Sequence, residues 1–263
     1  MKIRTLGALL TAACMCSAWT AHADDISVVV APTPSFGGDV KFRTNFVARG
    51  ISQSQGQPSI QGEIDYNSGD GIYGGIDGNS INWIDQLHPG DSVSLDADAW
   101  LGYRMHFGAD WTTKAGFMRM QFPGHYVQQS PPADQPNFTE AFGSVTWNGL
   151  SMQLNYAITD YAGTPDSRGT VYLSVSTSQP IGGSWTLGVD VGRVAQAGHD
   201  PVSGRSNSRL DYTDYKLSVA CALGSSISLI LAHTWTNGDP NIYIISSYAV
   251  AGHHTWLSLE KAF

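Results

Sequence analysis

Cysteine is scarce in this chain of 263 residues, and the positions of its three cysteines exclude a fold held by disulfides. Cys14 and Cys16 lie in an N-terminal segment that we expect to be removed, which leaves Cys221 without an intramolecular partner. Charged residues are also few, at 14 % of the sequence against the roughly 25 % usual for soluble domains. An exported chain of this length must therefore be stabilised by something other than disulfides.

Long apolar runs are missing as well. A membrane-spanning helix needs about 20 consecutive apolar residues. The longest late stretch, residues 227–232, is interrupted by Ser228 and followed by His233. If the chain crosses a membrane, it must do so as a closed barrel, because lipid offers no hydrogen-bond partner to an open sheet edge.

The first 23 residues have the pattern of a cleavable signal peptide. Lys2 and Arg4 form a positively charged start, residues 6–15 are apolar, and an A-x-A cleavage site ends at Ala23. We therefore expect a mature chain that begins at Asp24 and forms a single domain over residues 24–263.

An alternative for the same segment is a lipoprotein cleavage box at residues 10–14, although Thr11 stands where such boxes usually carry Leu. Removal of Lys2 and Arg4 with a signal peptide would change the formal charge from −8 to −10. This acidic balance argues against nucleic acid as a partner.

Alternation of apolar and polar residues is the dominant pattern in the rest of the chain, as expected for strands with one apolar face. The clearest example, residues 93–107, keeps one phase throughout. Strands of globular proteins usually have about five or six residues, whereas a membrane strand needs about 9–11. The sequence therefore favours strands that cross a membrane.

The same alternation predicts an all-β fold, an antiparallel up-and-down transmembrane β-barrel of about twelve strands, with ten or fourteen as alternatives. Short turns such as Asn148-Gly149 alternate with long polar connections, of which we expect the Pro-rich one after Phe122 to lie outside the cell. The predicted strands are residues 40–49, 59–66, 72–79, 93–107, 111–122, 138–147, 150–159, 170–178, 185–194, 212–223, 226–236 and 253–263.

The last strand ends on Phe263, which shares a face with Leu257 and Leu259. An amphipathic strand with a terminal Phe resembles the signal by which the barrel assembly machinery recognises outer-membrane barrels. Aromatic side chains near strand ends predict girdles at the two interfaces with outer-membrane lipid. The candidates are Trp83, Trp111, Trp147, Trp185, Trp235 and Trp256.

Several stretches resemble the TorF family of porin-like proteins. The most specific is the block R-T-N-F-V-A-R-G-I-S-Q-S at residues 43–54, followed by matching segments at residues 58–62 and 71–75. Residues 77–80 read Asp-Gly-Asn-Ser where the family carries Trp-x-Ser-Asn, so the pattern departs there. The resemblance covers nearly all of the mature chain. It implies an outer-membrane location and a pore of undefined solute, and it supplies no catalytic residues or cofactor.

The polar phase of a membrane barrel faces its lumen. Asp96 and Asp98 lie on one strand face, about 7 Å apart by strand rise. They could share a Ca²⁺ or form a solvated pair, and the second interpretation is favoured. The lumen charges could line a pore or pair with one another and plug the barrel. The pore-lining candidates are Lys41, Arg43, Arg49, Glu63, Asp65, Asp96, Asp98, Arg104 and Lys114.

Taken together, these patterns predict a porin-like outer-membrane channel for passive passage of small polar or charged solutes, with no catalysis and no cofactor. One alternative is a barrel enzyme of the lipase or protease kind, for which His106, His125 and His233 are available but not grouped by spacing. The other is a soluble periplasmic binder of the lipocalin kind, which would place its apolar face inside.

Overall fold

The computed structural model describes residues 34–88, 90–127, 135–224 and 226–263, so the predicted signal peptide and the lipoprotein alternative lie outside the described residues. Twelve antiparallel strands form one closed barrel, which confirms the predicted architecture and strand count. They are β1 (Ser35–Arg43), β2 (Ser59–Asn67), β3 (Ile72–Ser80), β4 (Leu95–Phe107), β5 (Trp111–Gln121), β6 (Phe138–Trp147), β7 (Leu150–Ala157), β8 (Val171–Gly182), β9 (Trp185–Ala195), β10 (Tyr212–Gly224), β11 (Ile227–Thr236) and β12 (His254–Ala262).

Each barrel strand pairs with its neighbours in the sequence, and β1 pairs with β12 to close the ring. Full closure leaves no open edge, so every strand has a hydrogen-bonding neighbour on both sides. Outside the barrel wall, the described residues contain one short helix, Trp83–Leu87, and one 3₁₀ turn, Asn207–Leu210. They also contain two small hairpins, in which Val47–Ala48 pairs with Ile51–Ser52 and Ile244–Ile245 pairs with Tyr248–Ala249. No helix in the described residues is long and apolar enough to cross a membrane.

The two ends of the barrel differ in their connections. Ser35 and Ala262 lie at one end, together with the short turns between β2 and β3 and between each later pair of strands. At the turn after β6, Asn148 (φ 46°) and Gly149 (φ 78°) both adopt the left-handed conformation that a two-residue hairpin turn requires. All the long connections lie at the opposite end, which we call the long-loop end.

The predicted bounds of the first strand were wrong, because the strand begins five residues earlier than predicted. The prediction placed it at residues 40–49, but β1 begins at Ser35 and ends at Arg43. Phe46 continues the apolar phase of Phe42, which made the two segments look like one strand. The chain instead turns inward after Arg43, and Phe46 is completely buried while Phe42 is exposed on the outer surface.

The outer face of the barrel is apolar. Large side chains such as Phe42, Ile64, Leu101 and Phe117 are each more than half exposed, a pattern that would be unfavourable in water. The opposite face of the same strands carries buried charges, including Lys41. This arrangement is the reverse of a soluble binding barrel, so the lipocalin-like alternative is wrong.

Four of the six predicted girdle residues lie on the outer face. Trp111 stacks on Trp147 with ring centroids 5.8 Å apart near the short-turn end, and Trp235 stacks on a tyrosine near the long-loop end. Trp185 is half exposed. The prediction was wrong for Trp256, which is 2 % exposed on the inner face of β12, and for Trp83, which packs against the ring of an inward phenylalanine.

Candidate functional site

The barrel interior is where the structure brings most of the predicted pore-lining residues together. Eight of the nine lie on the inner faces of β1, β2, β4 and β5, and Arg49 lies on the connection that follows β1. When the inner faces of all the barrel strands are taken together, acidic residues outnumber basic ones. The acidic residues are Asp39, Glu63, Asp65, Asp77, Asp96, Asp98, Glu140, Asp190, Asp214 and Glu260, and the basic residues are Lys41, Arg43, Arg104, Lys114 and Lys216.

One wall of the interior, formed by β1 and β2, holds a compact set of ion pairs. The Lys41 ammonium lies 3.0 Å from a carboxylate oxygen of Asp39 and 3.5 Å from one of Glu63. All three side chains are less than one-tenth exposed. Pairing compensates for the cost of burying each charge, so this wall is both charged and rigid.

The acidic wall continues along β3 and β4. Asp77 accepts hydrogen bonds of 3.2 Å from the side-chain amides of Gln61 and Asn79. Asp77 lies directly opposite Asp98 in the register of the two strands, and Asn79 lies opposite Asp96. Acidic side chains from neighbouring strands therefore lie next to one another and form an acidic wall inside the barrel.

Asp96 and Asp98 lie on one face of β4, as predicted, but they are not a solvated pair. They are 7 % and 4 % exposed, because the interior beside β4 is filled by other side chains. Within the described ranges, no group of three or more His, Cys, Asp or Glu side chains is arranged to hold a metal ion. A shared Ca²⁺ at this pair therefore has no support from neighbouring ligands.

The connection between β1 and β2, residues 44–58, folds into the long-loop end of the barrel instead of projecting from it. Its centre forms a small hairpin in which Val47–Ala48 pairs with Ile51–Ser52. We call this segment the luminal hairpin. Arg49 (φ 47°) and Gly50 (φ 76°) form the tip of the hairpin, and both adopt the left-handed conformation. Glycine adopts this conformation without steric cost because it has no Cβ atom.

One side of the luminal hairpin packs against β5 and β6. Phe46 is completely buried in an apolar cluster with Met118, Met120 and Phe138, and residues of the connection after β3 complete the cluster. Complete burial of a phenylalanine side chain contributes about 1.5–3 kcal/mol. This cluster anchors the start of the hairpin to the wall.

The opposite side of the hairpin reaches the other wall. Val47 packs against Ala232 and Trp256 on β11 and β12. A Cβ atom added to Gly50 would lie 2.5 Å from the Cβ of Asp214 on β10, so the tip lies against that strand with no room for a side chain. The luminal hairpin therefore spans the interior from wall to wall.

An ion pair holds the tip of the hairpin. Arg49 donates two hydrogen bonds to the Glu140 carboxylate on β6, with N–O distances of 2.8 and 2.6 Å. It also donates one of 3.2 Å to the Tyr161 hydroxyl, and its guanidinium lies over the ring of Tyr172 at 4.5 Å. The Asn155 amide donates to the same carboxylate at 3.0 Å. Although burial lowers the pKa of Arg49, the Glu140 carboxylate raises it well above the ordinary value, so Arg49 stays charged.

Glu140 was not predicted as a site residue. It lies on the inner phase of β6 between Phe138 and Phe142, and its surroundings in the sequence are those of an apolar strand. The signal that could have identified it is the isolated acid at an inward position, since a buried carboxylate needs a cationic partner. Its partner is 91 residues away in the sequence, which no local pattern shows.

The side of the interior formed by β6 to β10 is less tightly filled toward the short-turn end. Small hydroxyl and amide side chains face inward there, and they are partly exposed, in contrast to the completely buried Glu140 and Asn155 at the level of the hairpin. They include Ser144, Gln153, Ser174, Ser176 and Ser218. The interior is thus occluded by the luminal hairpin near one end and polar and open to water toward the other.

A closed barrel with an apolar outer face and a charged, partly hydrated interior defines a transmembrane β-barrel of the porin class. The chain belongs to the family described as bacterial protein of unknown function (Gcw_chp), whose model matches residues 31–263. Among curated proteins, no sequence matches the chain.

Solved porin structures have a similar fold. The KdgM porin has a TM-score of 0.52 at 10 % identity, covering 86 % of this chain and 99 % of that chain. A structure described as KdgM porin in complex with disordered oligogalacturonate gives 0.51 at 10 % identity, with 86 % and 99 % covered. The NanC porin gives 0.50 at 9 % identity, with 87 % and 98 % covered. At these identities the likeness concerns the fold.

Proposed function

We propose that this protein is an outer-membrane channel for passive passage of small polar or charged solutes. The observation that carries the proposal is the pairing of an apolar outer face with a charged interior on the same closed set of strands. Only a barrel embedded in lipid stabilises such a distribution, and a polar interior is of use to solutes that cannot enter the lipid.

The proposed location includes the export route. Residues 1–23 would direct secretion and be removed after Ala23. Phe263 is 70 % exposed on the outer surface, and its ring lies across Gly38 of the neighbouring β1, which leaves it accessible to the barrel assembly machinery. The long-loop end would face the exterior, because outer-membrane barrels carry their long loops there.

The interior favours cations over anions. Its acidic side chains outnumber its basic ones, and a low-dielectric lumen strengthens the effect of each uncompensated charge. Oligogalacturonate, the molecule named in the KdgM complex, carries carboxylates, and the acidic side chains along β3 and β4 of this chain offer such a solute no cationic partners. We therefore propose small cationic and neutral solutes, and we propose that the porin-like family is the TorF family that residues 43–54 resemble.

The enzyme alternative is less well supported. His106 is bonded to the Thr112 hydroxyl, and His233 faces outward beside Thr255 and His253 rather than toward a serine nucleophile. A hydrolase would need its nucleophile, base and orienting group within hydrogen-bond reach of one another. A non-enzymatic channel therefore fits the positions of these side chains better.

Conductance in planar bilayers tests the proposal. Folded protein should give discrete current steps and a reversal potential, under a KCl gradient, of the sign that reports cation preference. Heat-denatured protein from the same preparation is the control. Absence of steps from protein that is demonstrably folded and inserted would refute a channel, and lipase or protease activity in the same sample would favour the enzyme.

A further inference from the structure

We propose that the luminal hairpin is a movable plug that forms the constriction of the channel, and that Arg49 and Glu140 are its specificity-determining residues. This inference rests on the proposed channel function. It assigns residues 43–54 the role of a plug, which is separate from their contribution to the barrel wall.

The hairpin is not part of the barrel ladder. Arg43, the last residue of β1, pairs directly with Ser59 of β2 and with Ser258 of β12, so the ring of strands closes below the hairpin. The first backbone contact of the segment, the Thr44 amide to the Leu257 carbonyl at 2.9 Å, lies at its base. The hairpin can therefore leave the lumen without breaking a rung of the wall.

The hairpin is nevertheless placed in one position. It touches β5 and β6 through Phe46 and the far wall through Val47, and its second strand bonds to the last long connection, where the Ser52 amide donates to the Val250 carbonyl at 2.8 Å. A segment that spans the lumen in this way leaves no wide path at its level. The hairpin must therefore move before any solute larger than a small ion can pass.

The ion pair at the tip has the properties of a reversible latch. Burying two charges carries a desolvation cost that offsets much of their mutual attraction, so a buried pair fixes a geometry more than it adds stability. When the hairpin leaves, Arg49 and Glu140 both regain water, and this rehydration offsets part of the attraction that is lost between them. A loop held by apolar contacts alone would gain no such hydration free energy when it undocks.

The latch also fixes the charge at the constriction. With both partners present, the bidentate pair is neutral as a unit. Arg49→Gln removes the positive charge and keeps the Glu140 carboxylate, whereas Glu140→Gln removes the negative charge and keeps the Arg49 guanidinium. The two substitutions break the same ion pair but leave charges of opposite sign. If the pair were purely structural, both substitutions would have the same effect on ion selectivity.

The test measures conductance and reversal potential for both variants in planar bilayers. Both should conduct several-fold more than the unmodified protein, with cation preference increased for Arg49→Gln and decreased for Glu140→Gln. Arg193→Gln is the matched control, because Arg193 pairs with Asp211 at 3.2 Å near the same end but outside the lumen. Heat-modifiable migration on gels identifies folded barrels in each case.

A disulfide clamp keeps the test independent of folding defects. Ile51 and Ala251 form an isolated antiparallel bridge between the hairpin and the last long connection, a pairing close enough for a disulfide. Ile51→Cys with Ala251→Cys, in a Cys221→Ser background, should suppress the gain in conductance of Glu140→Gln when oxidised and restore it on reduction.

The possible failures separate the two proposals. Conductance in the unmodified protein that the latch variants and the clamp leave unchanged would refute the plug while the channel stands. Increased conductance with the same reversal potential in both latch variants would refute the specificity role. Absence of conductance in every folded protein would refute the channel, and with it the role of the hairpin.

Discussion

Phe46→Ala should release the luminal hairpin while the barrel stays folded. Phe46 is completely buried against Met118, Met120 and Phe138, and truncating a buried phenylalanine typically costs about 3–5 kcal/mol. Because residues 45–58 contribute no rung to the barrel ladder, most of this cost falls on docking of the hairpin. Since 1.36 kcal/mol corresponds to a factor of ten, the undocked fraction should rise roughly 10²–10³-fold.

Trypsin provides the assay, because the Arg49-Gly50 bond at the tip is a cleavage site that the docked state buries. When opening is fast compared with cleavage, the cleavage rate follows the population of the open form. Detergent-solubilised Phe46→Ala protein should therefore be cut after Arg49 roughly 10²–10³ times faster than the unmodified protein, as measured by mass spectrometry over time.

Phe42→Ala is the matched control for this experiment. Phe42 is an exposed phenylalanine on the outer face of β1, four residues before Phe46, so its truncation removes similar area without touching the hairpin. Its cleavage rate should match that of the unmodified protein. Equal rates for Phe46→Ala and Phe42→Ala, with both barrels folded, would show that Phe46 does not control docking.

Three further predictions concern the tip, a loop and the outer face. Gly50→Ala should also accelerate trypsin cleavage, since the left-handed tip (φ 76°) and the Asp214 Cβ at 2.5 Å both exclude a side chain. Asp200 accepts hydrogen bonds from the Ser203 and Val202 amides, which lower its pKa to about 2. Its loop should therefore keep this stabilisation above pH about 4 and lose it as the pH falls toward 2, which NMR titration against Asp200→Asn would show. Leu101→Arg at the middle of β4 should lower the free energy of unfolding in lipid by about 2–4 kcal/mol in urea titrations, and an unchanged value would argue against membrane burial of that face.

The barrel wall could be predicted from the sequence because its information is local. Alternation over residues 93–107 identifies a strand and assigns its faces at once, and Asn148-Gly149 fixes a turn. The inward positions of Lys41, Glu63 and Asp98 follow from the same period of two. These features depend on neighbours in the chain, so one sequence is enough to find them.

The luminal hairpin could not be predicted in the same way. Phe46 keeps the phase of β1, so alternation alone cannot distinguish a longer strand from a chain that turns inward. Its burial depends on Met118 and Phe138, which come from distant strands, and the position of Arg49 depends on Glu140. Only the tip of the hairpin has a local signal, because the Arg49-Gly50 pair suits a left-handed turn, whereas β1 itself ends earlier, at Arg43.

The hairpin also changes how the two alternatives for the luminal charges should be understood. The sequence offered pore lining and plugging as alternative roles for the luminal charges. In the structure, the two roles belong to different levels along the barrel axis. At the long-loop end, Arg49 and Glu140 neutralise each other in the ion pair that holds the plug. Along β3 and β4, Asp77, Asp96 and Asp98 belong to the wall itself, so this acidic surface stays in the interior whichever position the hairpin takes. The Arg49–Glu140 pair and the acidic wall are therefore two separate contributions to selectivity, and a substitution that opens the plug should leave the contribution of the wall in place.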